Sequence, residues 1–232
     1  MKRILIVPAR SGSKRIPNKN KKKLNGLPII LYPLKIATKS KLFKKIHIST
    51  DSEEIINIGK KIGVSTEFKR PKLLCRDNVD LFSVIKFVKK EFQIKYSLVY
   101  DEYWCILPCS PLIEVKDLIA CSRLLKKNKN CGVMTISSFP KPVNWSLELN
   151  KKKFILPNKK IRNLILSKKK YFYDAGQLYC FSKNFLNQKN FNFKKTLGYK
   201  LPFHKSVDVD DMNDWKLMEQ LFQINNKKKW KK

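Results

Sequence analysis

The chain has 232 residues, is 43% hydrophobic and carries a formal net charge of +33. That length and apolar content suit one α/β domain with a sizeable core and exclude a disordered polyelectrolyte. No apolar run reaches the ~18 residues of a membrane span. The charge excess is almost all lysine, spread over the whole chain. Base readout and bidentate phosphate contacts favour arginine, so no dedicated nucleic-acid partner is expected.

Ile4 to Val7 is apolar and β-branched, which predicts a fully buried strand, and Pro8 stops it. The loop that follows, ARSGSKRIPNKN, carries Arg10, Lys14, Arg15 and Lys19 with Ser11, Gly12 and Ser13 between them. Gly12 and its small neighbours let backbone amides approach an anion, and the cations add charge-assisted hydrogen bonds. Pro17 stiffens the loop. A basic Gly/Ser loop after an N-terminal strand suggests a polyphosphate site at the carboxyl edge of a parallel sheet. Neither the P-loop spacing nor GxGxxG is present, so this is neither of those nucleotide motifs.

Asn25-Gly26 marks a turn. Ile29 to Ala37 predicts a helix with Pro33 in its first turn, and Ile46 to Thr50 a second strand. Asp51 or Ser52 caps a helix through about Ile62, with Glu53 and Glu54 where the dipole favours them. Val64 to Phe68 reads as a short third strand. After a loop from Arg70 to Asp80, Leu81 to Phe92 has helical period and Tyr103 to Leu107 reads as a buried strand. Pro108-Cys109-Ser110-Pro111 predicts a rigid turn. Val115 to Lys127 is a helix and Cys131 to Ser137 a strand. From Phe139 to Tyr173 the pattern weakens into prolines, lysine clusters and short alternating pieces, which suggests an excursion from the core.

Asp174-Ala175-Gly176-Gln177 leads into a strand at Leu178 to Phe181. Ser206 to Val209 reads as the last strand, Met212 to Phe222 as an amphipathic closing helix, and Asn225 to Lys232 as a frayed basic tail. Alternating strands and helices argue for one three-layer α/β domain over residues 1–224. Its sheet is mostly parallel and Rossmann-like, with the excursion at 139–173 and the tail at 225–232. The six cysteines form no CxxC pair and no Cys/His cluster, so neither a disulfide framework nor a zinc site is expected.

Asp208 and Asp210, two apart after a predicted strand, share a face. Two like charges there repel unless a cation bridges them, and oxygen-only ligands near phosphate favour Mg²⁺. The plainer reading is that Asp210 or Asp211 caps the last helix.

PARSGSKRIPNKN closely resembles the N-terminal signature of the cytidylyltransferases that activate nonulosonic acids, the sialic acid-like sugars. STDSEEI at 49–55, Arg70-Pro71, LPCSPLI at 107–113 and DVDDMNDWKLME at 208–219 extend the likeness from residue 3 to about 222. YDAGQLY at 173–179 resembles the pseudaminic acid branch. Leu107 and Ile113 replace the Gln and Arg usual in the sialic acid branch, and the base loop around Asn78 to Leu81 lacks its usual small hydroxyl residues.

The resemblance implies a nucleotide-diphospho-sugar transferase fold and a homodimer joined through the excursion. It implies that CTP and a nonulosonic acid, above all pseudaminic acid, give the CMP-sugar and pyrophosphate for surface glycan or flagellin glycosylation. CMP-N-acetylneuraminate or CMP-legionaminate synthesis is the alternative within the family, and a basic nucleic-acid-binding protein the alternative outside it. Arg10, Lys19 and Asp210 are then the catalytic residues. Ala9, Arg10, Ser11, Gly12, Lys14, Lys19, Asn20, Arg70 and Ser110 bind the nucleotide, Asp174 and Gln177 the sugar, and Asp208 and Asp210 Mg²⁺.

Overall fold

The computed structural model describes residues 1–149, 151, 155–157 and 170–229. Strand β1 (Arg3–Pro8) lies between β4 (Lys45–Ser49) and β5 (Glu102–Ile106), parallel to both. Its residues alternate between two cores. Leu5 and Val7 join Ile48, Trp104 and Ile106 under helices α1 (Leu31–Ser40), α2 (Glu53–Lys60) and α4 (Val115–Lys127). Ile4 and Ile6 join Tyr103, Cys105 and the face of α3 (Leu81–Tyr96) that carries Phe82, Ile85, Val88 and Phe92. Because both faces are covered, Ile4–Val7 of β1 and Tyr103–Ile106 of β5 are continuous apolar runs, as in other parallel strands.

The full order is β10-β6-β9-β5-β1-β4. Strand β9 (Phe172–Ser182) runs antiparallel between β5 and β6 (Gly132–Ser138), and β10 (Thr196–Lys200) pairs parallel to β6 at the edge. The expected three-layer, mostly parallel α/β domain is therefore present. Two small hairpins stand outside this sheet. β2 (Lys23–Leu24) and β3 (Leu27–Pro28) turn through Asn25 and Gly26, both with positive φ. In the excursion, β7 (Leu147–Leu149) pairs with β8 (Ile155–Pro157).

Helix α5 (Met212–Lys229) lies against a third core in which Trp215, Met218 and Phe222 meet Ile16, Leu24, Ile29, Cys109 and Val209. That cluster fastens the loop after β1 to the carboxyl side of the sheet. The caps are local. Ser52 accepts from Ile55 N at 3.4 Å and Asp80 from Ser83 N at 2.8 Å. No helix among the described residues is long and apolar enough to cross a membrane.

Four expectations need correction. Val64 to Phe68 contributes only one bridge, Ser65 to His47, and is not a strand. Ser206 to Val209 is not a strand either: no ladder pairs it, and the β9 residue beside it, Gln177, reaches Val207 O through its side chain. Instead Thr196 to Lys200 forms the last strand, and β9 starts at Phe172 rather than Leu178. The supposed tail continues α5 as far as Lys229. Part of the excursion, 150, 152–154 and 158–169, and the last residues, 230–232, lie outside the described residues.

Candidate active site

At the carboxyl ends of β1 and β5 a cavity of about 410 Å³ opens. The loop after β1 forms one wall, and the way it is held explains which side chains face inward. Ala9 N donates to Ser49 O at 2.9 Å, so the loop leaves β1 still tied to β4. Asp51 accepts from both N and Oγ of Ser11, at 2.8 and 2.6 Å. Ile16 plunges into the third core, and buried Asn20 donates to Arg10 O at 2.9 Å across the loop. Between those anchors Arg10, Lys14, Arg15 and Lys19 border the cavity. A Cβ on Gly12 would meet nothing within 4 Å, so that glycine leaves open space beside the loop.

The opposite wall carries Asp208 and Asp210. Lys19 Nζ donates to Val209 O at 2.6 Å, which links the basic loop directly to the aspartates. Arg15 pairs with Asp210 at 2.8 Å. Asp208 is open to the cavity yet crowded by protein. Burial, with the nearby carboxylates of Asp210, Asp174 and Asp214, pushes its pKa up to about 6, and Lys19 opposes this. Lys19 compensates such a carboxylate only in part. The pair suits a divalent ion whose remaining ligands are phosphate oxygens and water. No cluster of three or more metal-binding side chains occurs among the described residues.

Gly176 shapes this wall. Its φ is +61°, and a Cβ there would stand 2.8 Å from Asp208 Oδ2. Only glycine meets both demands. Asp174, just before it, accepts from Gly176 N at 3.0 Å and from Tyr179 OH at 2.9 Å. Asp174 borders a second, smaller cavity of about 180 Å³, with Tyr179, Leu81, Phe82, Phe191 and Phe193 among its walls.

Arg10, Lys14, Lys19, Asn20, Asp208 and Asp210 thus come together as expected, with Ala9, Ser11 and Gly12 in the same loop. Other expected contacts lie elsewhere. Arg70 is buried, donating from Nε to Ser49 Oγ at 3.1 Å, and ties the 70–80 loop to β4. Ser110 is buried and donates to Gln177 O at 3.3 Å. Gln177 is buried too, its carboxamide turned to main-chain carbonyls. The sequence reading missed Asp77, which pairs with Arg10 at 2.6 Å and Lys14 at 2.7 Å at the cavity wall. It sits in no motif, so nothing local marked it.

A cytidylyltransferase family model matches residues 4–225. The chain belongs to the cytidylyltransferase family. It is therefore a nucleotidyltransferase that acts on CTP. The chain is 28% identical over 229 residues to a pseudaminic acid cytidylyltransferase of Campylobacter jejuni, covering 97% of this chain and 98% of that one. It is 26% identical over 229 residues to a CMP-N,N'-diacetyllegionaminic acid synthase of Legionella pneumophila, covering 97% and 98%. A solved CMP:2-keto-3-deoxy-manno-octonic acid synthetase complexed with CTP shares the fold of this cytidylyltransferase, with a TM-score of 0.69 at 15% identity over 97% of this chain and 100% of that one.

Proposed function

We propose that this cytidylyltransferase transfers CMP from CTP to a nonulosonic acid, and that pseudaminic acid is the acceptor. The observation that carries this is one cavity bordered by Arg10, Lys14, Arg15 and Lys19 on one side and Asp208 and Asp210 on the other. Arg10 and Lys19 hold the phosphates and offset the charge that develops on the departing pyrophosphate. The sugar's anomeric oxygen attacks the α-phosphorus; that P–O bond forms as the bond from the α-phosphorus to the bridging oxygen breaks. The hydroxyl proton passes to a carboxylate of the aspartate pair, Asp210 being the more open of the two to an incoming acceptor. Positioning and charge neutralisation supply most of the rate in such transfers.

Asp208 and Asp210 would hold Mg²⁺, which neutralises phosphate charge when bound. Crowding of two carboxylates, with no group of three metal-binding side chains among the described residues, fits an ion completed by the nucleotide. The second cavity, next to Asp174, suits the sugar. Pseudaminic acid carries acylamino groups and a terminal methyl, and Phe82, Phe181, Phe191 and Phe193 offer them apolar walls. A homodimer is part of the same reading. Phe139, Trp145, Leu147, Ile155 and Phe172 leave a run of exposed apolar side chains on and beside the β7–β8 hairpin. The reaction draws on CTP and needs no membrane, which supports a cytoplasmic enzyme making an activated sugar for surface glycans or flagellin.

Pyrophosphate release with CTP and a panel of nonulosonic acids tests the acceptor. The expected result is turnover with pseudaminic acid well above that with legionaminic or N-acetylneuraminic acid. Preference for either of the latter two would replace the assignment within the family.

A further inference from the structure

The segment from Ser206 to Asp210 carries the aspartate pair but has no strand partner. Side chains from neighbouring elements hold it instead. Gln177, in the middle of β9 and 2% exposed, donates from Nε2 to Val207 O at 3.0 Å and to Ala175 O at 2.9 Å. Lys205, 6% exposed, begins the segment; its Nζ pairs with Asp117 at 2.9 Å and with Glu114. Both carboxylates belong to the start of α4, where Glu114 and Asp117 form its capping box. Tyr199 on β10 donates to the other oxygen of Asp117 at 3.0 Å. A buried lysine between two carboxylates has one well-defined seat, because leaving any member unpaired is costly. Neither Gln177 nor Lys205 borders the phosphate cavity or the apolar cavity beside Asp174.

We propose that Gln177 and Lys205 are positioning residues that set where Asp208 and Asp210 stand, and so how strongly Mg²⁺ tightens CTP binding. Lys205 fixes the entry of the segment and Gln177 fixes the peptide immediately before Asp208. Gly176, adjacent to Gln177, meets the Asp208 carboxylate itself, so the same two residues of β9 govern the backbone and the side chain of one ligand. Gln177 therefore acts on the metal side of the site rather than on the sugar. This rests on the reading that the aspartate pair holds Mg²⁺ beside CTP.

Calorimetric titration of the full chain with CTP, without sugar acid and with or without Mg²⁺, reads the effect directly. In Gln177→Met and Lys205→Met the gain in CTP affinity on adding Mg²⁺ should fall by about ten- to a hundredfold, the usual cost of releasing a metal ligand's support. Metal-free CTP affinity should change much less than the Mg²⁺ gain, since neither variant removes Arg10 or Lys19 and only the Lys19 Nζ bond to Val209 O reaches the displaced segment. Lys205→Arg, which keeps the buried cation, should recover much of the gain. Thermal melting reports folding; if the Met variants do not fold, Gln177→Asn, which keeps an amide but shortens its reach, replaces them. A folded Gln177→Met with an unchanged Mg²⁺ gain, or one whose only defect is a higher KM for the sugar acid, overturns the proposal. A wild-type protein whose CTP affinity ignores Mg²⁺ overturns the metal reading, and the proposal with it.

Discussion

Gly176 and Asp208 face each other with no room for a side chain between them, a Cβ on Gly176 falling 2.8 Å from Asp208 Oδ2. The backbone of β9 and the carboxylate thus form one surface. Gly176→Ala adds a clash to a left-handed backbone that costs an L-residue about 1–2 kcal/mol. It should cut turnover by about a hundredfold or more, the scale of a misplaced catalytic group, while the melting temperature falls only a few degrees. Unchanged kcat in a folded Gly176→Ala would sink this account of the wall.

Asp210→Asn should lose about 3 kcal/mol of transition-state stabilisation, comparable to one lost electrostatic clamp. Chelation of divalent ions should abolish turnover. Full activity of Asp210→Asn at saturating Mg²⁺ would reject the metal assignment and return Asp210 to a mere partner of Arg15.

Arg10→Ala removes the planar fork that now bridges Cys75 O, at 2.9 Å, and Asp77. CTP affinity should drop strongly, because no nearby lysine reproduces a bidentate contact. Exchanging Lys227, Lys228 and Lys229 for serine should alter only the salt dependence. Equal losses from both changes would mean that bulk charge does the binding.

His47 gives a pH signature of folding. It is fully buried against Phe68 and Phe92, and its Nε2 has no hydrogen-bond partner among the described residues. Burial lowers its pKa to about 3, aided by Lys45 and Arg70 and opposed by Glu67. The unfolded chain therefore binds this proton first. Its contribution is intact above pH ~6.5 and is lost as pH falls toward 3, at up to about 1.4 kcal/mol per pH unit. Denaturant melts between pH 7 and 4 should show that slope, and His47→Gln should flatten it. An equal slope in both proteins would remove His47 from the acid lability.

Sedimentation at micromolar concentration should give a dimer that persists in high salt, since exposed apolar residues rather than charges hold it. Trp145→Asp, at a side chain 65% exposed, should release monomers. An active wild-type species near 27.3 kDa would defeat the dimer.

The parts legible in the sequence share a cause. β1, β5 and the face of α3 are apolar for local reasons, buried on both sides or at helical period, so each announces itself. The basic loop and the aspartate pair were legible because their charge and spacing belong to short stretches. What stayed hidden depends on partners far along the chain. Val207-Asp208-Val209 alternates like a strand, but it is held by the Gln177 side chain rather than by a backbone ladder. β10 is half-exposed at an edge and follows a polar stretch, which mutes its alternation. Gln177 looks like a sheet-edge amide reaching for sugar; only its proximity to Val207 O, thirty residues on, shows where it points.

The antiparallel β9 has a practical corollary for anyone recombining these enzymes. Asp174 at the apolar cavity, Gly176 against Asp208 and Gln177 under Val207 fall within four consecutive residues. On the proposed reading, acceptor choice and metal support would be inherited as one cassette. A chimera that exchanges 172–182 whole with a relative of different sugar preference should stay catalytically competent, whereas a crossover placed between Asp174 and Gln177 would splice one enzyme's selectivity onto another's scaffolding.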